Sequence, residues 1–334
     1  MAAIPSEFRA FVTERDGPTV TRGIRTLQAA DLPPGEVMIR VGWSGVNYKD
    51  ALATIPGGKV ARSSPLVPGI DLAGVVVASE DPSIAVGEAV LAHGYEIGVA
   101  RHGGYAEFAR VPAGWIVPLP DGLEAREAMA IGTAGFTAAM SVAALEARGL
   151  TPSDGPIVVT GASGGVGRMA VSILASNGYE AWAVTGKADE ADRLTAIGAA
   201  GVLDRSVLVA GEGRPFEAER WAGAIDAVGG ATLPYILRTL RYGGAVAASG
   251  NAGGADLVTT VFPFILRSVT LIGIDSAGVP IDDRRRLWGR LARDLRPRDL
   301  AEATTEIGLD GLERAFDSIL AGEARGRWLV RVGG

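Results

Sequence analysis

The segment 157–178, IVVTGASGGVGRMAVSILASNG, constrains the fold more than any other stretch of the chain. Residues 157–160 read as a buried strand, and a glycine run over 161–167 follows at once. Val166, Met169, Ala170, Ile173 and Leu174 then mark one face of a helix, which Gly178 stops. Glycines let a backbone approach a pyrophosphate, and a helix N-terminus offers unpaired N–H groups and positive potential. The spacing Ala162-x-Gly164-x-x-Gly167 is the dinucleotide-binding pattern with alanine in its first place. Further strands are expected at 181–185, 201–204, 223–227, 245–249 and 270–275, with helical stretches between most of them. That alternation predicts an α/β architecture, a doubly wound parallel sheet covered on both faces.

The same glycines also fit Thr160-Gly161-x-x-x-Gly165-x-Gly167, the pattern of short-chain dehydrogenases. Those enzymes need a Tyr-x-x-x-Lys pair, and none of the six tyrosines has lysine four residues on. A whole domain also precedes the motif, so that assignment fails.

The second strand carries the coenzyme choice. An acid at its end would hold the ribose 2′-hydroxyl of NAD and repel a 2′-phosphate. Here the strand ends Thr185-Gly186-Lys187. The third strand lies beside it at about 4.8 Å and runs into Arg205. Two cations converging on one phosphate predict NADPH over NADH, since tenfold selectivity needs only about 1.4 kcal/mol. The competing reading leaves Lys187 in solvent and pairs Arg205 with Asp204. Asp189 and Glu190 suit the first turn of the next helix.

The first 130 residues read as a compact β-domain with short runs between Gly and Pro turns. In EVMIRVGWSGV, Val37, Ile39, Val41 and Trp43 alternate with Met38, Arg40 and Gly42, a half-buried pattern. Asn47, Tyr48, Lys49 and Asp50 form a polar cluster after that strand, and Asp71 interrupts an apolar run. A buried aspartate is either a hydrogen-bond hub or a site residue. Tyr48 is the best candidate to touch a substrate, and His102 reads as structural. After residue 276 come the charged helix DDRRRLWGRLARDL, a helix near LERAFDSILAG and a last strand, GRWLVRV. The nucleotide domain therefore looks inserted into the first, as 1–130, 131–277 and 278–334.

Charge and cysteine narrow the chemistry. Net charge is −6 with interspersed signs, which argues against a nucleic-acid surface. Arg284 to Arg286 read as a solvated helix face balanced by Asp282 and Asp283. There is no cysteine and there are only two histidines, His93 and His102, so no metal site is expected. No uninterrupted apolar run approaches the roughly 18 residues of a membrane span. The N-terminal stretch MAAIPSEFRAF lacks the pattern of a signal peptide. A cytoplasmic protein is the expectation.

The segments WSGVNYKDALA, PGIDLAG, RHGGYAEFARV, GTAGFTAA, VVTGASGGVG, WAGAIDAVGG, PFILRSVTLIGIDS and GRWLVRV run end to end. Together they resemble the zinc-free medium-chain dehydrogenase/reductases of quinone-oxidoreductase type, and more narrowly the acrylyl-CoA reductase family. The resemblance implies a GroES-like β-barrel catalytic domain, an inserted Rossmann domain, bound NADPH and a homo-oligomer, expected to be a dimer. It implies coenzyme contacts at Tyr48, Ser163, Gly164, Gly165, Val166, Thr185, Gly186, Lys187, Arg205, Asn251, Ile265, Ser276 and Arg327. It places Asn47, Tyr48, Asp50 and Asp71 in the active site. One departure is ASGN at 248–251, where relatives often have ACGL.

Without a Lewis-acid metal, a hydride acceptor whose charge lands on a thioester oxygen suits such a site, because hydrogen-bond donors can stabilise it. The expected reaction is reduction of acrylyl-CoA, an enoyl-CoA, to propanoyl-CoA. Reduction of quinones or free enones is the alternative, and a non-catalytic NADPH-binding protein is a third reading.

Overall fold

The computed structural model describes residues 5–208, 216–298, 300 and 304–333; the first four residues of MAAIPSEFRAF lie outside them. The chain divides into two compact units. One takes residues 1–133, 277–292 and 300–334, and the other takes 134–276 and 293–299.

The first unit begins with β1 (Glu7–Asp16) and β2 (Thr19–Gln28), an antiparallel pair. There follow β3 (Val37–Gly45), the short helix α1 (Tyr48–Leu52), β4 (Asp71–Ser79), β5 (Ala89–His93), β6 (Phe108–Val111) and β7 (Val117–Pro118). Helix α2 (Ala125–Glu146) runs from this unit into the second.

The second unit alternates as the sequence predicts. Its elements are β8 (Ile157–Val159), α3 (Gly165–Ser176), β9 (Ala181–Thr185), α4 (Ala191–Ala196), β10 (Gly201–Asp204), β11 (Trp221–Asp226), α5 (Thr232–Thr239), β12 (Leu240–Ala248), α6 (Phe262–Arg267) and β13 (Thr270–Gly273). The strands form one parallel sheet in the order β10-β9-β8-β11-β12-β13. The order reverses direction between β8 and β11, the switch point at which such sheets bind dinucleotides. Leu233, Ile236 and Leu237 of α5 pack on Val158, Val184, Ala224 and Val246 of the strands.

The chain then returns to the first unit through α7 (Ile281–Leu291), β14 (Thr304–Ile307), α8 (Leu312–Leu320) and β15 (Arg327–Arg331). β15 pairs antiparallel with β3, which closes a sheet in the order β14-β15-β3-β4-β5-β7, with β6 also on β3. Met38 is buried, although the alternation set it on the outer face, because both faces of β3 are covered at that end. Residues 293–299 rejoin the second unit, where Asn177 donates to the Asp294 carbonyl at 2.9 Å.

Among the described residues, α2 alone has the length and apolar composition of a membrane span, with a mean hydropathy of 1.6. Its backbone is broken at Gly132, and 78% of the apolar window is buried within the protein, so it serves as a core element.

The basic cluster on α7 is a correction. Arg286 pairs with Asp283 at 2.7 Å as a solvated face would have it, but Arg284 has no exposed surface. Its Nη1 reaches the His93 carbonyl at 2.9 Å and the ring Nδ1 at 2.8 Å; its Nη2 donates to the Ala277 carbonyl at 3.0 Å. Its guanidinium also lies 4.4 Å from the Tyr95 ring centre. Burial, then Arg284, hold His93 well below its ordinary pKa, so a neutral imidazole faces the cation. Fully packed backbone carbonyls attract the arginine inward, which composition alone does not reveal. Arg284→Met should therefore cost about 3 kcal/mol or more, measured by urea unfolding, whereas Arg286→Met should cost under about 0.5 kcal/mol.

Candidate active site and coenzyme site

In the first unit, the polar residues gather at the break in α2. Gly132 has φ 53° and ψ −162°, which is not helical. A helix that stops leaves carbonyls without partners, and one that restarts leaves N–H groups without them. One ion pair serves both ends. Arg327, the first residue of β15, donates through Nη2 to Met129 O at 3.2 Å and through Nε to Ala130 O at 3.3 Å. Asp71, the first residue of β4, accepts the Thr133 N–H at 3.0 Å. Arg327 Nη2 and Asp71 Oδ2 lie 3.6 Å apart. A Cβ at position 132 would strike Arg327 Nη2 and sit 2.8 Å from Asp71 Oδ2, so only glycine fits there.

Asn47 joins this pair to a second carboxylate. Its Oδ1 accepts from Arg327 Nη1 at 2.8 Å, and its Nδ2 donates to Asp71 at 3.0 Å and to Asp50 at 3.2 Å. Asp50 caps the first turn of α1 by accepting the Asn47 N–H at 2.8 Å. It also accepts the Ile70 N–H at 2.8 Å and the Tyr105 hydroxyl at 3.0 Å. Asp50 and Asp71 have no exposed surface. Burial, and then the Asp71 charge, push Asp50 up to about 7.

The sequence-expected residues Asn47, Asp50 and Asp71 thus come together, but their polar atoms are engaged within the protein. They hold α1 in place. Tyr48, the first residue of α1, is the exception at 58% exposed. Arg327, expected at the coenzyme, is buried and bonded within this unit. Its donors point inward because the broken helix presents carbonyls on one side and Asn47 on the other. His102 is structural as read, its Nδ1 accepting the Val67 N–H at 3.2 Å. Tyr105 was missed; its only signal was an aromatic residue in the segment RHGGYAEFARV.

In the second unit, the glycine loop lies between β8 and α3. Gly161 has φ 58°, a turn that favours glycine. A Cβ on Gly167 would strike the Gly161 carbonyl, so glycine lets the helix sit against the loop. Gly164 is the N-cap of α3 and no side chain caps it, so the first-turn N–H groups have no capping side chain, the arrangement that suits an anion. Asp226, at the end of β11, accepts the Thr160 hydroxyl at 2.6 Å and the Gly229 N–H at 2.9 Å. It ties the two strands of the switch point together. The sequence signal for it was an acid in the apolar run WAGAIDAVGG.

The strand tips beside the loop are just as ordered. Thr185 Oγ1 bonds Ser163 Oγ at 2.9 Å and accepts the Lys187 N–H at 3.0 Å. Asp204 of β10 is in register with Thr185, which puts Arg205 opposite Gly186. Arg205 crosses over that glycine: a Cβ at 186 would lie 2.8 Å from both Cδ and Nε. The Asp204 carboxylate accepts the Ser206 N–H at 2.9 Å, and among the described residues no ion pair joins it to Arg205. An open groove of about 630 Å³ lies at the ends of β12 and β13 and is lined by Asn251 and Asp275, among others. Ser276 follows, its Oγ accepting from Thr137 at 2.8 Å, while Ile265 on α6 is 65% exposed.

The Alcohol dehydrogenase GroES-like domain matches residues 33–121, and the Zinc-binding dehydrogenase domain matches 165–293. The chain is a medium-chain dehydrogenase/reductase. It is 48% identical to the acrylyl-CoA reductase AcuI of Ruegeria pomeroyi, over 97% of this chain and 99% of that protein. It is 45% identical to the putative quinone oxidoreductase YhfP of Bacillus subtilis, over 97% and 99%. The YhdH oxidoreductase of Salmonella enterica, solved with NADP, superposes with a TM-score of 0.94 at 46% identity, over 97% of this chain and all of that one. Among the described residues, this medium-chain dehydrogenase/reductase does not offer a zinc site of the kind its second domain is named for. It has no cysteine, and among the described residues no three His, Asp or Glu side chains converge.

The buried carboxylates give a pH signature. A raised folded pKa makes Asp50's contribution to stability complete below its ordinary 3.8 and lost as pH rises through about 7. The stability of wild type relative to Asp50→Asn should fall by about 2–3 kcal/mol between pH 5 and pH 8, as measured by denaturant titration at each pH. A flat difference would mean that Asp50 stays ionised throughout.

Proposed function

We propose that this dehydrogenase/reductase reduces the activated C=C bond of acrylyl-CoA to propanoyl-CoA with NADPH. The near full-length identity of 48% to an acrylyl-CoA reductase carries this reading. The coenzyme, when bound, supplies the hydride. The start of α3, which no side chain caps, suits its pyrophosphate. Arg205, laid over Gly186, and Lys187 beside it suit the 2′-phosphate. Thr185 and Ser163 join the loop to that corner, and Asn251, Ile265 and Ser276 are assigned to the nicotinamide side.

Tyr48 faces the substrate in this reading. Asn47, Asp50 and Asp71 act through it as positioning residues, because they fix the helix on which it sits. Reduction at the β-carbon throws charge onto the thioester oxygen, and a proton is then needed at the α-carbon. The Tyr48 hydroxyl either donates that proton or orients the acyl group. The YhfP relative, a putative quinone oxidoreductase, favours quinones as the second class of acceptor, and free enones would be reduced by the same hydride chemistry.

We further assign the protein to the cytoplasm as a homodimer. Among the described residues the edge strand β13 has no partner on its outer side, and Val258, Val261, Ile265 and Leu266 nearby are 83%, 63%, 65% and 56% exposed.

Steady-state NADPH oxidation with acrylyl-CoA against a naphthoquinone tests the substrate class, and a higher specificity constant for the quinone would reverse the assignment. Tyr48→Phe should lower kcat at least about tenfold while NADPH affinity changes less than about twofold. Unchanged turnover removes Tyr48 from the chemistry. The pair Lys187→Ala and Arg205→Ala should cut the NADPH/NADH ratio of specificity constants at least about tenfold, and an unaltered ratio places the phosphate elsewhere.

A further inference from the structure

Two carboxyl groups and one guanidinium meet at the start of α1, and all three are buried. Asp50 and Asp71 have no exposed surface, and Arg327 is 4% exposed. Arg327 faces Asp71 at 3.6 Å. A buried cluster tolerates little net charge, so this one balances when one of its two carboxyl groups carries a proton. The surrounding charges do not alter that count. Lys49 on α1 is exposed, as are Glu313, Arg314 and Asp317 on α8, the helix packed against it. His93, opposite Asp71 on β5, is kept neutral by burial and then by Arg284.

The hydrogen bonds decide which carboxyl holds the proton. Asp71 accepts the N–H groups of Gly45 at 2.8 Å and Thr133 at 3.0 Å, and the Asn47 amide at 3.0 Å. Asp50 Oδ1 accepts the N–H groups of Gly69 at 3.2 Å and Ile70 at 2.8 Å. None of these donors can accept a proton in return. Asp50 Oδ2 has a different neighbour. The Tyr105 hydroxyl lies 3.0 Å from it and 3.0 Å from the Gly45 carbonyl. A phenol carries one proton, so it cannot serve both oxygens at once. Both contacts are made when Asp50 Oδ2–H donates to Tyr105 and Tyr105 O–H donates to Gly45. Tyr105 is firmly placed for this. It has no exposed surface, its carbonyl accepts the Phe11 N–H at 2.8 Å, and its ring centre lies 5.9 Å from that of Phe316. Burial above all holds the phenol well above its ordinary pKa, so it keeps its own proton.

We propose that Tyr105 is a positioning residue: by holding a proton on Asp50 Oδ2 it keeps α1, and with it Tyr48, in place for the reduction. The same oxygen accepts the Asn47 N–H at 2.8 Å, which caps the turn that Tyr48 begins. Gly45, on the other side of the phenol, lies two residues before that cap. Loss of the proton turns the phenol to the carboxylate and takes its bond from Gly45. It also sets two like charges against the one Asn47 amide. The entry to α1 is then disturbed at both residues that fix it. Burial, and then the Asp71 charge, raise Asp50 to about 7, so the proton is present below that pH and lost above it. The inference deepens the reductase reading and rests on it for the role of Tyr48.

Infrared difference spectra between about pH 6 and about pH 8.5 read the proton directly and need no substrate. Wild type should lose the C=O band of a protonated carboxyl as pH rises through about 7. Asp50→Asn should lack that band, which separates it from the buried Asp226. Tyr105→Phe should shift its frequency, because the partner of the carboxyl proton is gone. The absence of such a band in wild type, or a band that Tyr105→Phe leaves unmoved, overturns the proposal. In turnover with NADPH and acrylyl-CoA, wild-type kcat should fall at least about threefold over the same range while KM for acrylyl-CoA changes less than about twofold. Asp50→Asn should abolish that fall, whatever its absolute rate. A flat wild-type profile, or a fall that survives Asp50→Asn, overturns the positioning role. If acrylyl-CoA is not reduced, the substrate assignment alone fails, and the same profile is read with a naphthoquinone. Should Tyr105→Phe not fold, the comparison of wild type with Asp50→Asn still decides.

Discussion

The pair Arg327–Asp71, set into a broken helix, is the interaction on which the first unit depends. A break in a buried helix is normally expensive, because it exposes two sets of backbone groups to a medium without water. Here a cation takes the carbonyls of one half and an anion takes the N–H of the other. Each charge is at once paired and hydrogen-bonded, the condition under which a buried ion is tolerated. Asn47 then carries the same network to Asp50 and so to α1. The orientation of Tyr48 is thus set by residues from β4, α2 and β15, which are far apart in the chain.

The second unit solves a different problem, that of leaving groups unsatisfied on purpose. The N-cap of α3 is a glycine with no capping side chain, and the strand tips beside it end in Gly186 and Arg205. Asp226 and Thr160 make up for this openness by locking the base of the loop. A relative of the same fold at 45% identity, YhfP, has been solved with NAD bound. The fold by itself therefore does not fix which of the two coenzymes is bound.

Much of this was legible in the chain. The glycine run, its flanking strand and helix, and the alternation after it are local patterns, and local patterns survive into structure because backbone geometry is local. The pairing of the strands that lead into Lys187 and Arg205 was legible for a related reason: parallel neighbours in a doubly wound sheet are predictable from strand order. What was not legible depended on partners distant in sequence. Arg284 looked like a solvated charge, since nothing near it marks His93 and the Ala277 carbonyl as its neighbours. The internal partners of Arg327 were equally hidden, since the carbonyls it satisfies are left open only because Gly132 breaks α2. Tyr105 and Asp226 were visible as polar residues in apolar surroundings, but without assigned partners.

The sequence by itself determined the class of chemistry. It contains the dinucleotide loop, lacks cysteine, and ends its second strand with a cation, and none of these depends on how distant segments meet. Only the tertiary structure decided which polar residues face solvent and which are used internally. Asn47, Tyr48 and Asp50 are near neighbours in the chain, yet two are drawn into a buried network and one is left exposed. The physical reason is that the burial of a charge is settled by the sum of its partners, and those partners come from wherever the fold brings them.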